Sequence, residues 1–136
     1  MRTKRLLLVG LDWVRPKDSP MSLATVNIAA SCTDVCDVQT FTFNIANGEP
    51  DFELLPRDHF DVIGIGAYVW ADKYMNLALK SLWSLYQNAT ILIGGPQVTY
   101  ANRGNFLSAV YPIADGFLRG HGECAMRQFM KGEDKV

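Results

Sequence analysis

The sequence has little of several features that mark exported or membrane proteins. No apolar run approaches the roughly 20 residues that span a bilayer, and the 136 residues include three cysteines. An odd number of cysteines without an export signal fits a reducing compartment better than a disulfide framework. Residues 6–9 form an apolar run after a basic start, but this run is too short for a signal peptide. We therefore expect a cytoplasmic protein with no membrane partner.

An excess of charge is also lacking. The net charge is −1 and the basic residues are scattered along the chain, so nothing indicates a nucleic-acid surface. The chain has no internal repeat, linker or low-complexity stretch. Apolar residues make up 49% and charged residues 20% of the sequence, which is ordinary for globular proteins. The chain is long enough for one domain with a buried hydrophobic core. We therefore predict a single domain over residues 1–136.

Five short apolar runs alternate with helical or loop stretches. The predicted strands cover residues 6–11, 38–45, 62–69, 90–93 and 116–118. In the second run Phe41 and Phe43 alternate with Thr40 and Thr42, which is typical of a half-exposed edge strand. The alternation as a whole predicts an α/β fold of the flavodoxin-like, doubly wound kind. We expect a five-stranded parallel sheet of order 2-1-3-4-5, with helices on both faces.

Helices are predicted between most of these strands. The first begins at Ser19 and Pro20 and runs through residue 30, with Leu23, Val26 and Ala30 facing inward. The others cover residues 72–87, with Asp72 as the cap, 105–110, and 123–130, which a glycine at position 132 ends. Residues 47–58 are rich in turn formers and are expected to carry one helical turn at most.

Glycines are concentrated where the third and fourth predicted strands end. They are Gly64, Gly66, Gly94 and Gly95. Glycine within a strand costs roughly 0.5–1 kcal/mol relative to alanine, so the four together cost about 2–4 kcal/mol. In this fold, ligands bind outside the carboxyl ends of the strands. Two explanations remain open: a bulky ligand that approaches the backbone closely, or tight turns and strand–helix packing.

Aromatic residues also follow the predicted strand ends. Trp13, Tyr68, Trp70 and Tyr100 all lie at or beyond the end of a predicted strand. Around a floor of glycines, such residues indicate a wide, flat, partly apolar ligand or a partner surface. The alternative is that Tyr68 and Trp70 pack under neighbouring loops.

Other ligands of this fold fit the sequence less well. A flavin mononucleotide site needs a phosphate loop after the first strand, but Asp12 and Asp18 would repel a phosphate there. A receiver domain needs an aspartate at the end of the third strand, where Gly66 stands. The Gly-x-Gly-x-x-Ala pattern at residues 120–125 has the spacing of a dinucleotide-binding motif. It follows the last strand, however, and no second β-unit comes after it.

The sequence contains no set of residues spaced as in a known type of catalytic site or metal site. His59 is predicted in a surface loop, and His121 at the rim of the ligand site. Cys32 and Cys36 are four residues apart, but the third cysteine of an iron–sulfur motif is missing. We therefore expect both to be small buried hydrophobes, and Cys124 to be buried as well.

Residues 61–70, 91–100 and 114–123 together resemble a known family, and residues 20–24 resemble the proline-led start of its first helix. The family is the N-terminal cobalamin-binding domain of cobalamin-dependent radical SAM enzymes. The similarity covers nearly the whole chain. It is carried by the combination of a Gly-Gly-Pro segment with an Arg-Gly-x-Gly-Glu segment. The resemblance implies a sheet whose carboxyl edge carries cobalamin, with the nucleotide tail beside the third and fourth strands.

The resemblance also implies which residues bind the cofactor. The loop after the first strand would face the lower side of the cobalt, the third and fourth strand ends would line the corrin and the tail, and the segment after the fifth strand would approach the polar periphery of the corrin. The implied set is Asp12, Trp13, Val14, Ser22, Leu23, Gly66, Ala67, Tyr68, Val69, Trp70, Gly94, Gly95, Pro96, Gln97, Val98, Gly120, His121, Gly122 and Glu123.

Two departures from related cobalamin proteins shape the functional hypothesis. The Asp-x-His-x-x-Gly motif of cobalamin mutases is missing, because Val14 stands two residues after Asp12. No histidine ligand to cobalt is therefore expected, and the base-off, histidine-off mode is favoured. The radical SAM barrel and its three-cysteine motif are also absent. The start at Met1 and the charged tail, residues 132–136, favour a separately encoded subunit over an excised domain.

The leading hypothesis is a cobalamin-binding module that presents its cofactor to a radical SAM partner and is not catalytic alone. The main alternative is an interaction domain that has lost cobalamin and docks a partner protein through its aromatic rim. A small flavin or nucleotide enzyme is a third, weaker option.

Overall fold

A parallel sheet forms the centre of the molecule, in a computed structural model that describes residues 4–13, 23–68, 71–95, 105–118 and 122–132. Its strands are β1 Arg5–Asp12, β2 Asp37–Asn44, β3 Val62–Gly66, β4 Thr90–Gly94 and β5 Gly116–Phe117. All neighbouring strands pair in parallel, in the order β2-β1-β3-β4-β5. The predicted flavodoxin-like α/β fold and strand order are confirmed.

Four α-helices lie within the described residues. They are α1 Leu23–Cys32, α2 Asp72–Leu85, α3 Asn105–Val110 and α4 Gly122–Met130. The connection from β2 to β3 carries two short 3-10 turns, Ile45–Asn47 and Phe52–Leu54. The second is the one turn that was allowed for residues 47–58, and the first begins at Ile45, which was predicted as the end of the second strand. None of the described helices is long and apolar enough to cross a membrane.

The sheet separates two hydrophobic layers, because successive side chains of a strand point to opposite faces. On one face, Leu7 and Ile63 pack with Leu79 of α2 and Leu107 of α3. On the other face, Leu6, Leu8, Val62 and Leu92 pack with Cys32 of α1 and Met126 of α4. We call this second side the α1/α4 face.

The prediction of which α1 residues face inward was wrong. Val26 is 43% exposed and Ala30 is exposed, whereas Cys32 is fully buried. Ile28 packs against the core of the α1/α4 face. The side chain of Leu23 lies outside the described part. Because α1 is apolar on nearly every side, the spacing of its apolar residues could not identify its buried face.

The predicted end of β3 and the predicted cap of α2 also need correction. β3 ends at Gly66 rather than Val69, because the carbonyl of Tyr68 already accepts a hydrogen bond from the amide of Ala71 at 3.0 Å as the chain turns into α2. Asp72 is not the cap of α2. Ala71 is the N-cap residue and makes no side-chain hydrogen bond there. Asp72 lies in the first turn, where its negative charge interacts favourably with the positive end of the helix dipole. The predicted stop at Gly132 is confirmed by its φ of +85°.

Candidate functional site

The carboxyl ends of β1, β3 and β4 lie side by side at one edge of the sheet. Gly66 pairs with Gly94 across β3 and β4, and Val9 pairs with Ile65 across β1 and β3. Continuing the second ladder by one residue brings Gly10 beside Gly66. The end of β1 is therefore next to the ends of β3 and β4, as the fold predicts for a switch point.

Three glycines share one row on the α1/α4 face at this edge. Leu6 and Leu8 point to that face, and so does position 10, because side chains alternate along a strand. The same alternation from Val62 and Leu92 brings the other two positions to this face. We call Gly10, Gly66 and Gly94 the glycine row. At this level of the sheet, the three neighbouring strands β1, β3 and β4 carry no side chain on the α1/α4 face.

The protein's own atoms already fill part of the space that the glycines leave. A Cβ added at Gly66 would lie 2.7 Å from Cε2 of Tyr68, so this ring covers the middle of the glycine row. At Gly94 the nearest atoms, those of Leu118, would be 3.6 Å and 3.7 Å away, which is ordinary contact. The row is thus covered at its centre and is less crowded at β4.

Two other glycines near this edge serve packing and turning. A Cβ at Gly64 would lie 2.8 Å from Met126 Cε and 2.9 Å from Leu8 Cδ2, so this glycine admits α4 onto the sheet. Gly95 has a φ of +98°, and a Cβ there would lie 2.8 Å from the carbonyl oxygen of Ala67. At these two positions strand–helix packing and tight turning account for the glycine, one of the two explanations left open by the sequence.

Asp12 ends β1 and is buried, with 7% of its surface exposed. Its Oδ2 atom would lie 3.3 Å from a Cβ on Gly10, and Oγ1 of Thr42 would lie at the same distance. The carboxylate therefore lies back over the β1 end of the glycine row, beside the hydroxyl of a β2 residue.

Tyr68 is half-buried, with its ring over Gly66. Burial raises the pKa of its phenol, and the negative charge of Asp12 raises that pKa further. Both effects favour the neutral phenol. The centre of the edge is thus a neutral ring beside a carboxylate.

The remaining described residues of the predicted site surround this centre. Trp13 directly follows β1 and is 60% exposed, whereas Ala67 is fully buried and its amide donates to the carbonyl of Gly94 at 2.7 Å. Leu23 begins α1. Gly122 begins α4, where a Cβ would lie 3.2 Å from Ile28 Cδ1.

Glu123 lies in the first turn of α4 and is half-buried. Its carbonyl accepts a hydrogen bond from the Ser31 hydroxyl at 3.3 Å, so α4 is joined to α1 here. Gly122 therefore serves the contact between these two helices, and Glu123 is held beside that contact.

The structure brings Asp12, Gly66, Ala67, Tyr68 and Gly94 together at one edge, and Gly95 directly follows them. Trp13, Leu23, Gly122 and Glu123 lie around this edge as described above, and the remaining predicted site residues lie outside the described part. They are Val14, Ser22, Val69, Trp70, Pro96, Gln97, Val98, Gly120 and His121. Tyr100 of the predicted aromatic rim and the predicted start of the first helix also lie outside it.

The cysteines are partly as predicted. Cys32 and Cys36 are buried, and burial raises the pKa of both thiols, that of Cys36 to about 11. Cys124 was predicted to be buried, but it is exposed. It follows Glu123 on α4, whereas Met126 is the residue that packs onto the sheet. The described residues contain no group of three or more side chains that could hold a metal ion.

His59 lies in a surface loop, as predicted. Its side chain is 51% exposed, and Nε2 is 3.1 Å from Oδ1 of Asp61. The loop precedes β3, at the edge of the sheet opposite the glycine row. His59 is therefore remote from the candidate site.

Sequence reasoning missed Gly10 and Thr42 as members of the site. Gly10 lies inside β1 and was not counted with the glycines of β3 and β4, and Thr42 was assigned only to the polar side of an edge strand. The register that pairs Gly10 with Thr42 brings them to the edge. A signal was available, since glycine inside a buried strand often marks a close approach by other atoms.

No protein-family model and no curated protein matches this chain.

Proposed function

We propose that this chain is a cobalamin-binding module, or a separately encoded subunit, that presents base-off, histidine-off cobalamin to a radical SAM partner. The observation that carries this proposal is the glycine row, in which three neighbouring strands have no side chain on one face at one level near their carboxyl ends. A broad planar ligand needs such an edge, because its atoms must approach several backbone segments at once. The bound cofactor would supply the organometallic chemistry.

The residues at the edge suit this ligand in shape and in the apolar surface that they offer. Gly66 and Gly94 leave backbone beside which a nucleotide tail would lie, with Leu118 as the nearest apolar neighbour of Gly94. Trp13 is exposed beside the edge and offers an apolar surface to a corrin. Entry of the tail requires the Tyr68 ring to rotate away from Gly66, a movement that exposed or half-buried side chains make readily.

The histidine-off mode is supported by the position of the one described histidine. His59 lies at the opposite edge of the sheet and interacts with Asp61. His121, the other histidine of the chain, lies outside the described part.

Direct binding tests the proposal. Purified protein is incubated with hydroxocobalamin, freed of excess cofactor by gel filtration, and examined by visible spectroscopy. We expect a red protein fraction. After reduction to the cobalt(II) form, electron paramagnetic resonance should lack the splitting caused by a coordinated nitrogen. A colourless protein fraction would refute the proposal, and nitrogen splitting would refute the histidine-off, base-off mode alone.

A second candidate is an interaction domain that has lost cobalamin and docks a partner protein. The position of the Tyr68 ring favours it, because the ring fills the space over Gly66 as a core side chain would. The exposed Trp13 is then part of a docking rim.

The substitution Tyr68→Ala distinguishes the two candidates. If the ring only covers a cofactor site, its removal should speed the association of hydroxocobalamin about tenfold or more. The matched control is Tyr74→Ala, which removes another half-buried tyrosine from α2. An interaction domain would remain colourless with either substitution.

A further inference from the structure

Polar groups of β1 and β2 meet at one end of the glycine row. Thr42 pairs with Gly10, and Asn44 pairs with Asp12, across the β1–β2 ladder. Paired residues of neighbouring strands point to the same face of a sheet. All four positions therefore belong to the α1/α4 face, at its carboxyl edge.

Asp12 is the one buried charged side chain among the residues that the structure describes. A carboxylate removed from water is costly unless hydrogen-bond donors surround it. An ionised carboxylate only accepts hydrogen bonds. A ligand group that contacts Asp12 must therefore be a hydrogen-bond donor.

Thr42 has a buried hydroxyl without a partner among the described protein atoms. Buried polar groups of native proteins nearly always have a hydrogen-bond partner, and an exception calls for an explanation. A Cβ on Gly10 would lie 3.3 Å from Oγ1 of Thr42 and 3.3 Å from Oδ2 of Asp12. Both oxygens thus border the position that a side chain of residue 10 would occupy, and the glycine leaves that position empty.

We propose that Asp12 and Thr42 form a subsite that binds a primary amide of the ligand, a role that rests on the cobalamin-binding function proposed above. A primary amide carries two N–H donors, so one nitrogen can donate to the carboxylate and to the hydroxyl together. The periphery of a corrin carries several primary amides. A ligand carboxylate or phosphate would instead be repelled by Asp12.

The substitution Thr42→Val tests the subsite, because valine has nearly the shape of threonine but no hydroxyl. The matched control is Thr40→Val, on the same strand and face, where Thr40 pairs with Leu8 instead of Gly10. We expect Thr42→Val to weaken hydroxocobalamin binding about tenfold, since one hydrogen bond to the ligand is lost. Without ligand, it should raise the melting temperature by roughly 3–5 °C, because an unpartnered buried hydroxyl is removed.

The outcomes separate the subsite from the cofactor itself. If wild-type protein binds hydroxocobalamin and Thr42→Val binds it as tightly as Thr40→Val does, the amide subsite is wrong and the cobalamin-binding function stands. If wild-type protein binds no hydroxocobalamin, both are wrong.

Cobalamins in which a single peripheral amide has been hydrolysed to a carboxylic acid give a second readout. We expect one such isomer to bind wild-type protein at least tenfold more weakly than the parent cofactor, because its acid would face Asp12. The loss should be reduced in Asp12→Asn, which removes the opposing charge. Equal binding of all isomers would overturn the amide subsite.

Discussion

At the scale of single residues, glycines that look equivalent in the sequence of one strand have different neighbours in the structure. Gly64 and Gly66 are two residues apart on β3 and point to the same face, yet Met126 of α4 covers the first and the Tyr68 ring covers the second. Sequence proximity indicates the Tyr68 contact, since that residue is only two positions away. The Met126 contact joins residues 62 positions apart in the chain, and no local pattern reveals it. The concentration of glycines at this edge was therefore predictable, but it was not predictable that α4 covers Gly64 while Tyr68 covers Gly66.

Alanine substitutions should distinguish a crowded glycine position from a less crowded one. Gly64→Ala brings a methyl group within 3 Å of two side chains, and we expect it to lower the free energy of unfolding by about 1–3 kcal/mol, as overpacking does. Gly94→Ala is the matched control, because its methyl group meets Leu118 at ordinary distances. It should change the stability by less than about 1 kcal/mol. Urea denaturation measures both, and equal losses would show that the two sites are equally crowded.

The cysteines provide a prediction about reactivity and pH. Burial raises the pKa of Cys36 from 9.0 to about 11 and also raises that of Cys32, whereas Cys124 is exposed. Because the thiolate is the reactive form, a disulfide reagent at pH 8 should modify Cys124 rapidly and the other two only after denaturation. Rapid modification of all three thiols in the native protein would contradict this.

The same raised pKa makes stability depend on pH. The folded state favours the protonated Cys36 thiol, so this contribution is fully present below pH 9 and is lost as the pH rises through about 11. Unfolding free energies measured from pH 8 to 11 should therefore decline less steeply in Cys36→Ala than in the wild-type protein. Parallel pH profiles would exclude this contribution from Cys36.

At the scale of the elements, patterning identified nearly every strand and helix, and failed where the pattern carries little information. The buried side of α2 was predictable, because Met75, Leu79 and Leu82 recur at helical spacing and are all fully buried. For α1 the prediction named Val26 as inward-facing, but this side chain is exposed. When a helix is apolar on most sides, its residue pattern does not determine which side is buried. For α1 the buried side is determined by its contact with α4.

Two leucines of α2 test the importance of its buried face. Leu79 is fully buried, and Leu77, two positions earlier, is 40% exposed. Leu79→Ala should lower the free energy of unfolding by about 2–5 kcal/mol because it leaves a cavity against the sheet. Leu77→Ala should change it by no more than about 0.5 kcal/mol. Chemical denaturation followed by circular dichroism measures the difference, and similar losses would contradict the assignment of the buried face.

At the scale of the whole molecule, the strand order determines where a ligand can bind. Alternating strands and helices predicted the order, because right-handed crossovers leave few topologies. The same order makes neighbours of the carboxyl ends of β1, β3 and β4. The location of the candidate site at this edge could be predicted, but its residues only in part, since Gly10 and Thr42 join the edge through strand register.

The edge has a polar end at β1 and β2, where Asp12 and Thr42 lie. At its other end, a Cβ on Gly94 would meet, among the described residues, only the carbonyl oxygen and Cβ of Leu118, both at ordinary contact distances. A ligand that extends along the row must therefore present hydrogen-bond donors to Asp12 and Thr42, and it can place a further group beside the backbone of Gly94. A corrin with peripheral amides and a benzimidazole at the end of its nucleotide tail has both.

Equilibrium binding of hydroxocobalamin to wild-type protein and to Gly94→Val tests the cobalamin-binding role most directly. Valine would place a branched side chain in the least crowded part of the glycine row, and circular dichroism with Gly94→Ala as the intermediate case confirms that the variants fold. We predict saturable binding by wild-type protein, weaker binding by Gly94→Ala, and none detectable for Gly94→Val. Wild-type protein that stays colourless, or a folded Gly94→Val that binds as tightly as wild type, would contradict the role of this edge in holding cobalamin.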